Sequence, residues 1–492
     1  MSWSISVCKA SFSMLCFLLL SSLVLASNPL STRASGGTVG VWLTTADLST
    51  HLAPQASLTF ANGSGSDPTT ITVNEKKIYQ QMVGFGASFT DASTWLVYNK
   101  MSQRQRNQLM TNLFDPKKGI GLSFLRQPMG STDFSQTEYT YDDVPAGQAD
   151  PNLSHFSIAP DTAYNIPILK QVLKLNPKAK IMASPWTAPA WMKSNDSLEQ
   201  GSLNASAFHA YANYFVDFVK AYQAQGIPIY AVTPQNEPGN NNRMPTMPMS
   251  ADDETNFIAN DLGPAFAHNG IKTLILGYDH NWDNPSYPTT ILSSSTASSY
   301  VSGTAWHCYG GTPDVMTSFH NSFPKKGIYE TECSGGSWEG PKGFQKTTEL
   351  MINSARNWAK TVVRWVPVLD PNGNPHLSTP DSCNGCRGVV SVDQNSGNVT
   401  YNADYYALGQ ASKFVIPGAY HIDSSAGDNG ISNVAFKNPD GTKVLVVYNS
   451  SSTSQTFAVQ WGQQSFSYTL PAGAVATFKW SGTQVLLSPS PS

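Results

Sequence analysis

Glu237 and Glu332 are the residues around which this chain's chemistry can be arranged. Ile227 to Val232 is a short apolar run that leads into Thr233-Pro234-Gln235-Asn236-Glu237-Pro238. Proline cannot donate to a sheet ladder, so Pro238 ends that run and leaves Glu237 at the C-terminal lip of a strand. A second run, Gly327-Ile328-Tyr329, leads into Glu330-Thr331-Glu332. Two carboxylic groups converging on one site can cleave an acetal. One protonates the leaving oxygen while the other attacks the anomeric carbon, at a separation of about 5–5.5 Å for retention of configuration. Asn236, beside the first, is placed to hold a sugar 2-hydroxyl, a bond that strengthens in the transition state. Glu330 competes with Glu332 as the attacking group, since residues two apart on a strand face the same way. Glu332 lies nearer the lip and is the better placed. No serine sits in a nucleophile-elbow pattern and no His-Glu-x-x-His occurs, which leaves paired carboxylates as the leading chemistry.

Eight apolar runs alternate with helical stretches and would bring these groups together. Strands are expected at Val83–Phe89, Leu122–Arg126, Lys180–Ser184, Tyr230–Thr233, Thr273–Leu276, Thr304–Tyr309, Gly327–Thr331 and Val362–Leu369. Helices are expected between several of them, as at Gln103–Leu113, Ile166–Lys174 and Ala207–Gln225. That periodicity predicts an α/β fold, a (β/α)8 barrel, with its working groups at the C-terminal ends of the strands. Those ends carry Asp91, Arg126, Trp186, Glu237, Asp279 with His280, His307 with Tyr309, Glu332 and Trp365. An isolated strand-end carboxylate could simply cap a helix; a ring of polar and aromatic ends argues for a site. Asp91 can bind hydroxyls, Arg126 can orient a carboxylate, and Trp186 and Trp365 can stack on a sugar face. Tyr309 can hydrogen-bond the attacking carboxylate. Gly84-Phe85-Gly86-Ala87-Ser88 lacks the third glycine of a dinucleotide loop.

Outside the barrel, short alternating runs at both ends read as strands of one antiparallel β-sandwich. The expected organisation is a signal peptide over 1–27, N-terminal sandwich strands over 28–79 and the barrel over 80–417. C-terminal sandwich strands over 418–487 and a disordered tail over 488–492 complete it. The signal is Lys9 ahead of an apolar core from Phe12 to Leu25, followed by Val24-Leu25-Ala26. An exported chain is consistent with 13% charged and 11% aromatic residues, and a net charge of -3 gives no reason to expect nucleic acid as a partner. Past the signal, Cys308, Cys333, Cys383 and Cys386 allow three disulfide connectivities. Cys383-Asn384-Gly385-Cys386 could also be half a zinc site, and Cys308 and Cys333 two buried thiols. Sequons at Asn62, Asn152, Asn195, Asn204, Asn398 and Asn449 would mark exposed loops.

The motifs resemble those of family 30 glycoside hydrolases, most closely the glucosylceramidase and endo-β-1,6-glucanase branches. They are Gly84-Phe85-Gly86-Ala87-Ser88-Phe89-Thr90-Asp91, Arg126-Gln127-Pro128-Met129, Ser184-Pro185-Trp186-Thr187-Ala188-Pro189, Thr233-Pro234-Gln235-Asn236-Glu237-Pro238 and Thr331-Glu332-Cys333-Ser334-Gly335. The resemblance runs from Gln81 to Pro417 and implies a retaining β-glycosidase with Glu237 as acid/base and Glu332 as nucleophile. It also implies sugar contacts from Asp91, Arg126, Trp186, Asn236, His307, Tyr309 and Trp365. One departure is Val366-Pro367 after Trp365, where a polar residue would be expected. The expectation is a secreted, monomeric endo-β-1,6-glucanase without metal or organic cofactor. Hydrolysis of glucosylceramide is the alternative within the fold, and an inactive carbohydrate-binding protein the alternative outside catalysis.

Overall fold

A computed structural model describes residues 37–484 except Ser66; the expected signal peptide and tail lie outside the described residues. The parallel strands of the barrel are β1 (Gly84–Ser88), β2 (Phe124–Pro128), β3 (Lys180–Ser184), β4 (Ile229–Val232), β5 (Leu274–Asn281), β6 (Val301–His307), β7 (Gly327–Gly336) and β8 (Thr361–Trp365). They are hydrogen-bonded in chain order, β8 pairs with β1, and β6 pairs with β7, so the sheet closes. Closure removes the sheet edges, and the interior is filled rather than open. Phe124, Met182, Ala231, Leu276, Ala305, Tyr329 and Val363 pack together as an apolar layer. One alternation further along β2 and β3 come Arg126 and Ser184, so the packed core gives way to a polar layer at the mouth.

Only β3 has its expected span; β1, β2, β4 and β6 are displaced by one to three residues at an end, and β5, β7 and β8 differ by more, for local reasons. β5 continues through Tyr278 and Asp279, whose φ values of 82° and 69° lie in the left-handed region. The Glu254 carboxylate accepts the Tyr278 N–H at 2.9 Å and steadies that turn of the chain. β7 runs on to Gly336 because Cys386–Arg387 pairs antiparallel with its end. β8 stops at Trp365, where Pro367 has no N–H to continue the ladder, and Val368–Leu369 joins a separate small sheet. Helix α1 (Asp91–Asn99) starts directly after β1, capped by Thr90. The later helix α2 (Gln103–Phe114) opens with a capping box between Ser102 and Gln105.

The first and last strands form one eleven-stranded sheet with its own apolar core, including Val41, Ile71, Leu445, Phe457 and Phe478. Thr38–Thr44 pairs antiparallel with Val475–Trp480. Thr69–Gln81 pairs antiparallel with Tyr420–Ser424 but parallel with Gln455–Trp461, so the sandwich is mostly rather than wholly antiparallel. Val434, Phe436, Val444, Val446 and Val475 belong to the barrel's helical-layer core, so the sheet is seated on the barrel. No helix among the described residues is long and apolar enough to cross a membrane. The sequon at Asn449 does not mark an exposed loop: its side chain is buried and donates to the Thr453, Leu470 and Pro471 carbonyls.

Candidate active site

Arg126, fully buried at the end of β2, ties the site together. Its Nη1 donates to Glu332 Oε2 at 2.5 Å, and its Nη2 donates to Asn236 Oδ1 and to Asp279 Oδ2, each at 2.7 Å. With Oδ1 engaged, the Asn236 amide nitrogen keeps its donors for a ligand. Asp279 is also fully buried and accepts four more bonds, from Ser184 Oγ, Thr233 Oγ1, Thr331 Oγ1 and His307 Nε2 at 2.7–3.0 Å. A carboxylate this deep persists only when its lone pairs are filled, and here five donors fill them.

His307, at the end of β6, is buried with a carboxylate on each ring nitrogen. Nε2 faces Asp279 and Nδ1 faces Glu237 Oε1, both at 3.0 Å; Glu332 Oε1 lies 3.8 Å from Nδ1. Glu237 Oε2 accepts from Asn240 at 2.9 Å, and His280 stands 3.9 Å from Oε1. The φ of Glu237 is 44°, a left-handed conformation that costs about 1–3 kcal/mol and survives only where its surroundings fix it. Glu332 Oε1 accepts the Tyr309 hydroxyl at 3.0 Å. Ligand atoms of Glu237, His307 and Glu332 all lie within 4.8 Å of one another, so the carboxylates of β4 and β7 converge. Such a trio could hold a cation, although Arg126 already supplies positive charge to Glu332.

The electrostatics follow from burial and from the cations. Burial would raise Glu237, but the His307 hydrogen bond and charge, with His280 and Asn240, outweigh it and hold it at about 2. Burial would lower His307, yet Glu332, Asp279 and Glu237 around it lift it to about 10. The two share one proton across their hydrogen bond over the whole range between. Glu332 is raised above its ordinary value, mainly by burial, with Glu237 and Asp279 adding to it against His307 and Arg126. Asp279 stays well below the carboxylate range because Arg126 and His307 overcome its burial.

Not every expected residue joins this network. Trp186 and Trp365 stack on each other, with centroids 5.0 Å apart, in a buried cluster with Phe134, Val366 and Cys386. The Arg126 guanidinium lies 4.7 Å from the Trp186 ring centre. Asp91 accepts from the Gln136 N–H at 2.8 Å and the Tyr164 hydroxyl at 2.5 Å and makes no bond to Arg126, Glu237 or Glu332. Glu330 does not share a face with Glu332 in effect. It is fully buried, accepts the Val363 N–H at 2.6 Å, and is pushed up to about 8 by burial. A register shift between Trp306 and His307 separates the two glutamates along β7.

Ser184, Thr233 and Thr331, which hold Asp279, were not singled out from sequence, although each closes an apolar run. Among the described residues the four cysteines pair as Cys308–Cys333 and Cys383–Cys386, so Cys308 and Cys333 are not free thiols and Cys383 and Cys386 are not half a zinc site. The first bond joins the ends of β6 and β7 between His307, Tyr309 and Glu332. The second lies in the loop after β8, which reaches across the mouth to Asp133 and, through Asp381, to Arg243.

Residues 82–415 match the glycosyl hydrolase family 30 TIM-barrel domain, and residues 418–478 match that family's β-sandwich domain. An endo-1,6-β-D-glucanase of Neurospora crassa is 38% identical over 384 residues, covering 75% of this chain and 79% of its own. A putative glucosylceramidase of Caenorhabditis elegans is 33% identical over 412 residues, 78% of each chain. A solved endo-β1,6-glucanase superposes with a TM-score of 0.83 at 33% identity, over 91% of this chain and all of that one. With both domains matched and the carboxylates of β4 and β7 brought together at the barrel mouth, the chain belongs to glycosyl hydrolase family 30.

Proposed function

We propose that this glycosyl hydrolase is an exported endo-β-1,6-glucanase that works by double displacement, without metal or organic cofactor. The observation that carries the mechanism is the approach of the Glu237 and Glu332 carboxylates to within 4.8 Å, near the spacing of a retaining pair. Glu332, oriented by Arg126 and Tyr309, attacks the anomeric carbon, and Asn236 donates to the 2-hydroxyl. Glu237 delivers its proton to the departing oxygen and afterwards takes one from water. Before a sugar binds, that proton rests on His307. A sugar lying over Glu237 dries the pair, and a drier setting favours the neutral acid and imidazole over the ion pair. The proton then moves across a 3.0 Å hydrogen bond onto Oε1. Asp279 holds the other ring nitrogen throughout.

The linkage rests on the glucanase relatives, and the glucosylceramidase relatives make glucosylceramide the second substrate. Reducing-sugar release from β-1,6-glucan, laminarin, xylan and glucosylceramide decides between them. The expected result is release from β-1,6-glucan by the wild type and none by Glu332→Gln. Cleavage of glucosylceramide alone would overturn the glucanase reading. Equal, negligible release by both proteins with polysaccharide still bound would point to a binding protein.

A further inference from the structure

Beside the catalytic carboxylates lies a groove of about 670 Å³, of whose walls the reaction described above uses only Tyr309. It begins at Tyr309, whose hydroxyl bonds Glu332 and Ser334 while the residue as a whole stays 45% exposed. Trp338 lines it too, the most exposed large apolar side chain among the described residues, at 56%. Trp338 is not on a loose loop. The next residue, Glu339, accepts from Arg387 Nη2 at 2.6 Å, and Ser337 N–H donates to the Gly385 carbonyl at 2.8 Å. The indole itself sits where a side chain on Gly336 would be, 2.2 Å from that Cβ position, so only glycine lets it fold onto the strand end. A large aromatic ring pinned by its backbone, yet left open to water, forgoes burial that a polar residue would not need. Lys342 and Asn353 line the same groove, and their side chains make no hydrogen bond or ion pair with other described residues.

We infer that this groove binds glucosyl units of the chain beyond the one attacked, with the Trp338 indole as a stacking face and Lys342 and Asn353 as hydroxyl partners. The inference rests on the glucanase reading above. An apolar face flanked by a few polar groups is what a pyranose ring, apolar across its C–H face and polar at its rim, requires. Tyr309 lines the groove and bonds Glu332 at 3.0 Å, so the groove adjoins the attacking carboxylate. The volume falls within the range of about 300–1,000 Å³ usual for ligand sites.

The test is kcat/KM for β-1,6-linked gluco-oligosaccharides of increasing length, compared with an aryl β-glucoside. Wild type should gain with chain length, and Trp338→Ala should lose about tenfold of that gain on the longest oligomers. Trp338→Phe should recover most of it. In the Glu332→Gln background, the Kd for β-1,6-glucan should rise by a similar factor on Trp338→Ala. A Trp338→Ala profile that superimposes on wild type, or that falls equally for every substrate, overturns the groove assignment while leaving the glucanase reading intact. A wild type that cleaves the aryl glucoside but no glucan overturns both.

Discussion

At the scale of single residues, one proton shared by Glu237 and His307 governs the chemistry proposed. The acidic limb of kcat/KM should come from Glu332, which must be ionised to attack. Burial raises its pKa above the ordinary glutamate value, and activity should be lost as pH falls through it. The basic limb should come from loss of the shared proton near the His307 value of about 10. His307→Gln removes the cation that holds Glu237 down, so burial then governs Glu237 and its proton leaves at a much lower pH. The basic limb of the pH profile should therefore move down by several units; an unmoved limb would exclude the shared proton. The convergence of Glu237 and Glu332 was readable from their place at strand ends, but the partners of Asp279 were not. Ser184, Thr233 and Thr331 are far apart in the chain and look like ordinary strand-end hydroxyls until closure of the barrel turns them onto one carboxylate.

At the scale of elements, β6 and β7 are the pair that sets the geometry. They carry His307, Tyr309 and Glu332, and Cys308–Cys333 clamps them with a sequence separation of 25. Replacing both cysteines by alanine should lower the denaturation free energy by about 3 kcal/mol, the loop-closure value for such a span. It should also lower kcat more than it changes KM, since the clamp positions reacting groups rather than binding surface. Denaturant titration alongside steady-state kinetics checks both, and unchanged kcat would mean that Arg126 and Tyr309 suffice to place Glu332. Strand positions were legible because a buried parallel strand is a run of apolar residues. Their ends were less so. The extension of β5 depends on left-handed Tyr278 and Asp279, and that of β7 on pairing with Cys386–Arg387, neither of which leaves a local pattern.

At the scale of the whole molecule, the sandwich is part of the enzyme's core rather than an attached module. Gln410 Nε2 donates to Thr44 Oγ1 at 2.7 Å, Thr477 Oγ1 donates to the Gln410 carbonyl at 2.6 Å, and Trp42 packs on Phe414 with centroids 4.5 Å apart. Cutting the chain to residues 80–417 would uncover the apolar barrel face beneath Phe436, Val444 and Val446. Calorimetry of the full chain should show one cooperative transition, and the truncated chain should fail to fold; a soluble, active barrel would show that the sheet is dispensable. That the two chain ends meet in one sheet was legible from their shared alternation. The parallel pairing of Thr69–Gln81 with Gln455–Trp461 was not, because alternation is the same in either direction.

The central claim is that Glu332 becomes covalently bound to the sugar while Glu237 handles the proton. Incubation with an activated 2-deoxy-2-fluoro-β-glucoside, followed by proteolysis and mass spectrometry, tests it most directly. The account predicts one fluoroglucosyl group per chain, on the peptide carrying Glu332 and on that side chain. A label on Glu330 or Glu237, or turnover without any trapped adduct and with inverted product, would contradict it.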